Sequence, residues 1–289
     1  MKHINYLLIA LFSLLLFSCA NKSAVGRIVT VTLEPQRFFA EKIAGDKYQI
    51  NCVVPSGQSP ETYDPTPQQM MDISRSVAYL QIGHIGFEQV WMKTIRENNP
   101  QMEVFDLSHG MNLLKSADHH EHDHPHHGVD PHIWSSITGA KVIAANTLKA
   151  FQAIDPKNEA YYLVNYNALM EEIGETEEAV NQLIKPLVSR TFIIYHPALT
   201  YLADEYRLTQ LCIEMDGKEP SPAQLKELVE TAKNYNTQVV FIQQEFDQKN
   251  AELIARETGC RLVRINPLAY DWKKEIIHIA KALADEQAD

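Results

Sequence analysis

Hydrophobic positions along the chain follow two different periods. Short β-branched and apolar runs, for example Arg27 to Leu33 and Val77 to Ile82, have the composition of buried strands. Other stretches place an apolar residue every three or four positions, as between Phe87 and Asn98, and this spacing is typical of helices. Because strands that alternate with helices form parallel sheets covered by helices on both faces, the first half of the chain predicts an α/β lobe.

The second half shows the same alternation with a different sequence. Strands are predicted at Arg190 to Tyr195, Leu208 to Ile213, Val239 to Ile242 and Arg261 to Ile265, with helical patterns between them. The chain is 289 residues long, a length that suits two domains. We therefore predict an α/β fold with two lobes, each built on a parallel sheet flanked by helices.

A continuous helical pattern lies between the two halves. Asp155 followed by Pro156 is a helix-start signal, because aspartate caps a first turn and proline fits the first helical position. Apolar residues keep a helical period over roughly the next 30 residues, which at 1.5 Å each would extend about 45 Å. We expect a rigid connecting helix over 156–188, between an N-terminal lobe at 27–155 and a C-terminal lobe at 189–289.

The residues before the first strand have the pattern of a targeting segment. The apolar run from Ile4 to Phe17 suits a signal peptide but is too short to span a bilayer as a helix. It ends at Cys19 in a pattern similar to the lipobox of bacterial lipoproteins. We expect a lipoprotein signal peptide at 1–18, lipidation of Cys19 and a tether at 19–26, in an exported protein that is periplasmic or at the cell surface and lipid-anchored to a membrane. An ordinary cleaved leader with an incidental cysteine is the alternative.

Charge and cysteines narrow the class of protein further. The chain has 26 basic and 37 acidic residues, a formal net charge of −11, which argues against a nucleic-acid partner. In an exported protein a disulfide between Cys212 and Cys260 is possible. The cysteines lack the closely spaced pairs that a cysteine-based zinc site needs.

The most distinctive segment is an acidic, histidine-rich stretch at 118–128. It contains six of the twelve histidines, which are His119, His120, His122, His124, His126 and His127. Neutral imidazole is a common Zn²⁺ ligand, while Pro125 and Gly128 oppose a regular helix or strand. We expect an accessory loop that collects metal ions; a solvated polar loop without a metal role is the alternative.

Two further histidines are placed where a folded site could form. His196 lies at the carboxyl end of a predicted buried strand, which is where ligands bind in open α/β sheets. His132 follows Pro131 just before a predicted helix. Each alone could be a histidine of the core or of a turn. Together, on opposite sides of the connecting helix, they predict a site in the cleft between the lobes.

Several motifs, in order along the chain, resemble those of the zinc and manganese solute-binding proteins of ABC importers, the cluster A-I type. Besides the histidine-rich segment they are Gly57 to Pro67 (GQSPETYDPTP), Gly83 to Glu88 (GHIGFE), Asp130 to Trp134 (DPHIW), Tyr195 to Pro197 (YHP), Glu219 to Leu225 (EPSPAQL) and Asn266 to Leu268 (NPL). The resemblance implies two α/β lobes joined by a long helix.

The same resemblance implies a set of metal ligands. It makes His132 and His196 ligands and places Glu61 where the family carries its first ligand, a histidine. Glutamate is a competent Zn²⁺ ligand, so the set is chemically sound. A fourth family ligand is an acid near the NPL motif, which this chain lacks at the nearest position. Water, Asn266, Asp271 or a histidine of the loop could fill that place.

The predicted activity is high-affinity Zn²⁺ capture and delivery to the membrane permease of an ABC importer, by a monomer that is not an enzyme. Two imidazoles and a carboxylate suit zinc, whereas manganese favours oxygen-rich sites. The alternatives are a solute-binding protein for manganese or another metal, and a lipid-anchored metal buffer or adhesin. A metallohydrolase is disfavoured because no His-Glu-x-x-His motif and no recognisable general base is present.

Overall fold

The computed structural model describes residues 27–116, 128–214, 218–246 and 248–284. The predicted signal peptide, Cys19, the tether and the six loop histidines lie outside these residues. None of the described helices is long and apolar enough to cross a membrane.

The N-terminal half folds around one four-stranded sheet. In chain order its elements are β1 (Ile28–Val31), α1 (Glu34–Ala44), β2 (Gln49–Cys52), α2 (Pro67–Ser74), β3 (Ala78–Gln81), α3 (Gly86–Asn98), β4 (Glu103–Asp106) and α4 (Ile137–Ile154). The strands pair in parallel in the order β2-β1-β3-β4. The predicted alternation of strands and helices is therefore confirmed for this lobe.

The C-terminal half has the same architecture. Its elements are β5 (Thr191–Ile194), α6 (Thr200–Tyr206), β6 (Thr209–Cys212), α7 (Pro222–Asn234), β7 (Val239–Gln243), α8 (Lys249–Thr258), β8 (Arg261–Ile265) and α9 (Trp272–Leu283). These strands are also parallel, in the order β6-β5-β7-β8. The two inner strands are buried along their whole length, which explains their unbroken apolar sequences.

A single helix, α5 (Glu159–Ile184), joins the two halves. Its 26 residues extend about 39 Å at 1.5 Å each. The helical pattern was expected over 156–188, but residues 156–158 form a 3-10 turn and the helix ends before Pro186, which cannot continue it. Helix α5 packs along α1, α4 and α9, so it contacts elements of both halves.

Two tryptophans fasten the segment before α4 to the loop after β8. The Trp134 indole N–H donates to the carbonyl of Pro267 over 2.9 Å, and the Trp272 indole N–H donates to the carbonyl of Trp134 over 2.7 Å. Both rings are buried. Since buried indole N–H groups are costly to leave unpaired, these bonds hold the two segments in one arrangement.

The disulfide considered between Cys212 and Cys260 is ruled out by the sheet order. Cys212 ends β6 and Cys260 directly precedes β8, at the two opposite edges of the C-terminal sheet. Three strand spacings of about 4.8 Å separate those edges by roughly 14 Å, while a disulfide needs Cα atoms within about 7 Å.

Candidate metal centre

His132 is held rigidly in the turn before α4. Its side chain is buried, and its Nδ1 lies 2.9 Å from Oδ1 of Asp130. The same carboxylate oxygen accepts the backbone N–H of His132 over 2.8 Å. Because a carboxylate accepts, Nδ1 carries the proton and Nε2 keeps its lone pair. A carboxylate behind an imidazole in this way is typical of histidines that bind metals.

His196 is held in the same way from the other sheet. It follows β5, and its Nδ1 lies 2.6 Å from Oε1 of Glu214, which follows β6. The side-chain amide of Gln243, at the end of β7, pairs with both backbone polar groups of His196: its Oε1 accepts the N–H over 3.2 Å and its Nε2 donates to the carbonyl over 2.7 Å. Three neighbouring strand ends therefore fix the position and the ring orientation of His196.

The two imidazoles face each other. Their Nε2 atoms are 3.2 Å apart and the ring centroids are 5.0 Å apart. With both protons on Nδ1, two neutral rings present lone pairs to each other and cannot form a hydrogen bond. A proton or a metal cation between the two nitrogens would remove this repulsion. The structure thus brings His132 and His196 together between the lobes.

The electrostatic environment of His132 favours a positive charge. Burial alone would lower the pKa of His132, but the Asp130 carboxylate, through its charge and hydrogen bond, raises it above the usual 6.5, with smaller contributions from Glu61 and Glu214. The pKa of Asp130 is correspondingly lowered, because the His132 charge and hydrogen bond outweigh the effect of burial. The carboxylates around His132 therefore stabilise a positive charge on its ring.

Glu61 lines the pocket, but one of its carboxylate oxygens already accepts a hydrogen bond. Its Oε2 accepts the backbone N–H of Gly86 over 3.0 Å, while its Oε1 is buried without a hydrogen-bond partner among the described residues. A Cβ atom at position 86 would lie 2.6 Å from the Glu61 carbonyl oxygen. Only glycine permits this close approach at the start of α3.

The three predicted ligands line one pocket. Trp134 and Phe246 form part of its apolar wall, and Glu245 adds a second carboxylate. As the side chains stand, no three His, Cys, Asp or Glu groups within the described ranges are close enough to hold a metal ion. A carboxylate would have to turn toward the imidazole pair to complete a site.

Two of the residues considered for a fourth ligand are used elsewhere. The side-chain oxygen Oδ1 of Asn266 accepts the backbone N–H of Leu268 over 3.1 Å. Asp271 caps α9, where its Oδ1 accepts the N–H of Lys274 over 3.1 Å. Neither side chain lines the pocket. A loop histidine would lie outside the described residues.

Sequence reasoning missed three polar residues around the imidazole pair. Glu214, Gln243 and Glu245 all lie at or just beyond the carboxyl ends of C-terminal strands. The rule that selected His196, that ligands gather at these strand ends, applies equally to all three. Burial raises the pKa of Glu245, and the nearby His196 charge opposes that rise. Glu245 and His196 line the same pocket.

Comparison with known proteins gives a consistent answer. A sequence model of the family described as "ZnuA: Zinc-uptake complex component A periplasmic" matches residues 29–285. The High-affinity zinc uptake system protein ZnuA of Bacillus subtilis (strain 168) is 29% identical over 286 residues, which cover 92% of this chain and 89% of that protein. The Zinc-binding lipoprotein AdcA of Streptococcus pneumoniae is 25% identical over 93% of this chain, which spans 56% of that protein's length.

The fold comparison agrees with the sequence comparison. A crystal structure of ZnuA superimposes with a TM-score of 0.84 at 36% sequence identity, covering 90% of this chain and 99% of that chain. The resemblance predicted from the motifs is therefore confirmed. The chain belongs to the ZnuA family, the zinc-binding periplasmic solute-binding proteins of ABC importers.

Proposed function

We propose that this chain captures Zn²⁺ with high affinity and delivers it to the membrane permease of an ABC importer. The observation that carries the proposal is the 3.2 Å separation between the Nε2 atoms of His132 and His196. A tetrahedral zinc ion bound to two imidazole nitrogens at about 2.0–2.1 Å would hold them about 3.3–3.4 Å apart. The two nitrogens therefore lie at about the spacing that one zinc ion requires.

The proposed ligands are His132, His196 and Glu61. For Glu61 to join, its carboxylate must turn from the N–H of Gly86 toward the two imidazoles. Its buried Oε1, which has no partner among the described residues, supports this role, because a buried acceptor without a donor is costly and a cation would satisfy it.

Zinc is the proposed cargo rather than manganese. Two imidazoles favour zinc, while manganese prefers more oxygen ligands and a higher coordination number. The names of the Bacillus subtilis and Streptococcus pneumoniae relatives, which both include zinc, support the same choice. Tighter binding of Mn²⁺ than of Zn²⁺ would replace this proposal with the manganese alternative.

We further propose the setting in which capture takes place. After removal of 1–18, Cys19 would carry the lipid and 19–26 would form the tether, and the description of the pneumococcal relative as a lipoprotein supports this. The histidines within 118–128 would collect zinc weakly near the pocket. The lobes would span 27–155 and 189–289. The chain would act as a monomer without catalysis and without a nucleic-acid partner.

Competition with a chromogenic chelator tests the proposal directly. Zinc stoichiometry and Kd are measured for the purified protein, for His196→Ala and for a variant that lacks residues 118–127. We expect one tight site that survives loop deletion and is lost in His196→Ala, because that substitution removes one of the two fixed nitrogens.

The opposite result would support the metal-buffer or adhesin alternative. If all tight binding disappears with the loop while His196→Ala binds normally, the pocket is not the zinc site. Delivery is tested separately: cells that carry His196→Ala should fail to grow under zinc chelation, and added zinc should restore their growth.

A further inference from the structure

Glu245 is the second carboxylate of the pocket and the only acid there contributed by the C-terminal half, among the residues that line it. It lies two positions beyond Gln243, whose amide is paired with both backbone groups of His196. The next residue, Phe246, stacks on the His196 ring with centroids 5.3 Å apart. These contacts hold the backbone of Glu245 beside the imidazole pair.

The loop that carries Glu245 also touches the loop that carries Glu61. A Cβ atom at Gly57 would lie 3.0 Å from Nε2 of Gln244, so the two loops are in close contact. Gly57 has a positive φ of 82°, which suits glycine at this approach. Glu61 and Glu245 therefore border the pocket from opposite halves of the chain.

Unsatisfied oxygens point to a shared partner for these two acids. Within the described ranges, two buried carboxylate oxygens have no hydrogen-bond partner, and both belong to this pocket: Oε1 of Glu61 and Oε1 of Glu245. Buried acceptors in folded proteins are nearly always satisfied. Because both oxygens border the pocket that holds two facing imidazole nitrogens, one cation could be bound by all four groups.

We propose that Glu245 is a ligand of the bound metal and completes a four-ligand site with Glu61, His132 and His196. The inference rests on the proposed function, and it fills the place for which the sequence offered water, Asn266, Asp271 or a loop histidine. Each half of the chain then supplies one imidazole and one carboxylate. A closed four-coordinate site is the arrangement that zinc adopts when no open position is needed for catalysis.

The test compares three variants in the full purified protein. Glu245→Gln keeps the size of the side chain and removes its charge, His196→Ala removes an imidazole, and Glu257→Gln is a control that removes an exposed acid on α8. Glu245→Gln should weaken Zn²⁺ binding by roughly 100-fold or more, above the 10–100-fold range typical of residues behind a ligand. It should also change the visible absorption spectrum of the Co²⁺-loaded protein, whereas Glu257→Gln should change neither property.

The outcomes separate this inference from the proposed function. Normal zinc affinity in Glu245→Gln, or weaker binding with an unaltered Co²⁺ spectrum, overturns Glu245 as a ligand. The proposal of zinc capture still stands in that case if His196→Ala loses zinc binding. Tight binding in His196→Ala overturns the proposed function itself. A crystal structure of the zinc-loaded wild type needs no variant: a Glu245 oxygen about 2.0–2.2 Å from zinc supports the inference, and water or a loop histidine in its place contradicts it.

Discussion

Two buried carboxylates decide which nitrogen of each imidazole is available. Asp130 and Glu214 each lie within 3 Å of an Nδ1 atom, at 2.9 Å and 2.6 Å, so each ring turns its Nε2 into the pocket. The carboxylate also makes the ring more basic and a better metal donor. The same effect strengthens competition from protons, because an imidazole that binds metal well also binds H⁺ well.

Zinc affinity should therefore weaken as the pH is lowered, and the weakening should begin at a higher pH than for a histidine with an ordinary pKa. The pKa of His132 is raised above 6.5, and a metal can replace the proton on Nε2 only when that proton leaves. As the pH is lowered from 8 to 5.5, we expect the Kd measured by chelator competition to begin rising while the pH is still above 6.5. Asp130→Asn should move this loss to lower pH. A Kd that stays constant over the range would contradict the assignment of His132 as a ligand.

The free energy of unfolding of the metal-free protein should depend on pH in the opposite direction to the zinc affinity. A histidine with a raised pKa stabilises the folded state fully below its unfolded pKa, and this contribution is lost as pH rises through the folded pKa. The His132 contribution is thus present below 6.5 and disappears above it. If His132 is a ligand, as proposed, zinc should reverse the trend, because the ion would bind and stabilise the folded protein most strongly where His132 is deprotonated.

At the scale of elements, the start of α3 supports the Glu61 loop. The N–H of Gly86 donates to Oε2 of Glu61, and the N–H of Phe87 donates to the carbonyl of Pro60 over 2.9 Å. Both donors belong to the first turn of the helix, where backbone N–H groups have no partner within the helix itself. The loop thus accepts hydrogen bonds from N–H groups in the first turn of α3, and these bonds hold the loop in position.

Gly86→Ala should disturb this contact. The added Cβ would meet the Glu61 carbonyl oxygen at 2.6 Å and its Oε2 at 2.7 Å, so the loop must shift. We expect a loss of about 1–3 kcal/mol in the free energy of unfolding, measured by urea denaturation, together with weaker zinc binding.

Gly174→Ala is the matched control for that substitution. Gly174 lies within α5, and a Cβ atom there meets nothing within 4 Å. Alanine should raise the free energy of unfolding by about 0.5–1 kcal/mol through its better helix propensity and leave zinc affinity unchanged. Equal effects of the two alanines would show that the Glu61 contact has no structural role.

At the scale of the whole molecule, α5 limits how far the lobes can move. It forms ion pairs with α1, α4 and α9 through Lys42–Glu172 at 2.7 Å, Lys141–Glu177 at 2.7 Å and Lys273–Glu175 at 2.9 Å. The tryptophan hydrogen bonds fix a second contact between the halves. A helix packed on both lobes differs from the flexible loop hinges that allow large domain closure.

Zinc loading should consequently change the overall shape very little. We expect the radius of gyration from small-angle X-ray scattering to be the same, within error, with and without zinc. Hydrogen exchange should slow in the pocket loops around Glu61 and Glu245, where side chains turn toward the ion. A clear decrease in the radius of gyration on loading would contradict the role of α5 as a rigid connection.

Much of this architecture follows from local sequence patterns. Strand and helix periods predicted two parallel sheets, and the strand-end rule located His196. The pairing of His132 with His196 was expected from their positions on opposite sides of the connecting helix and from the motifs. The contact between the Glu245 loop and the Glu61 loop was not predictable, because it depends on how two loops from different halves meet. The engagement of Glu61 by Gly86 was not predictable either, because it depends on how a loop of the N-terminal half packs against the start of α3. The distance between Cys212 and Cys260 likewise required the order of the strands, which composition does not encode.

The hydrogen bond between Gly86 and Glu61 also bears on how quickly an ion can leave. If Glu61 is a ligand, as proposed, its carboxylate has an alternative donor waiting when the metal departs, so unloading exchanges one partner for another. Such an exchange avoids an intermediate with a bare buried charge, and this lowers the barrier to release. The residence time of the ion then depends in part on the first turn of α3, far from either imidazole in the sequence, and the equilibrium affinity depends on it too, because the same hydrogen bond stabilises the unloaded site.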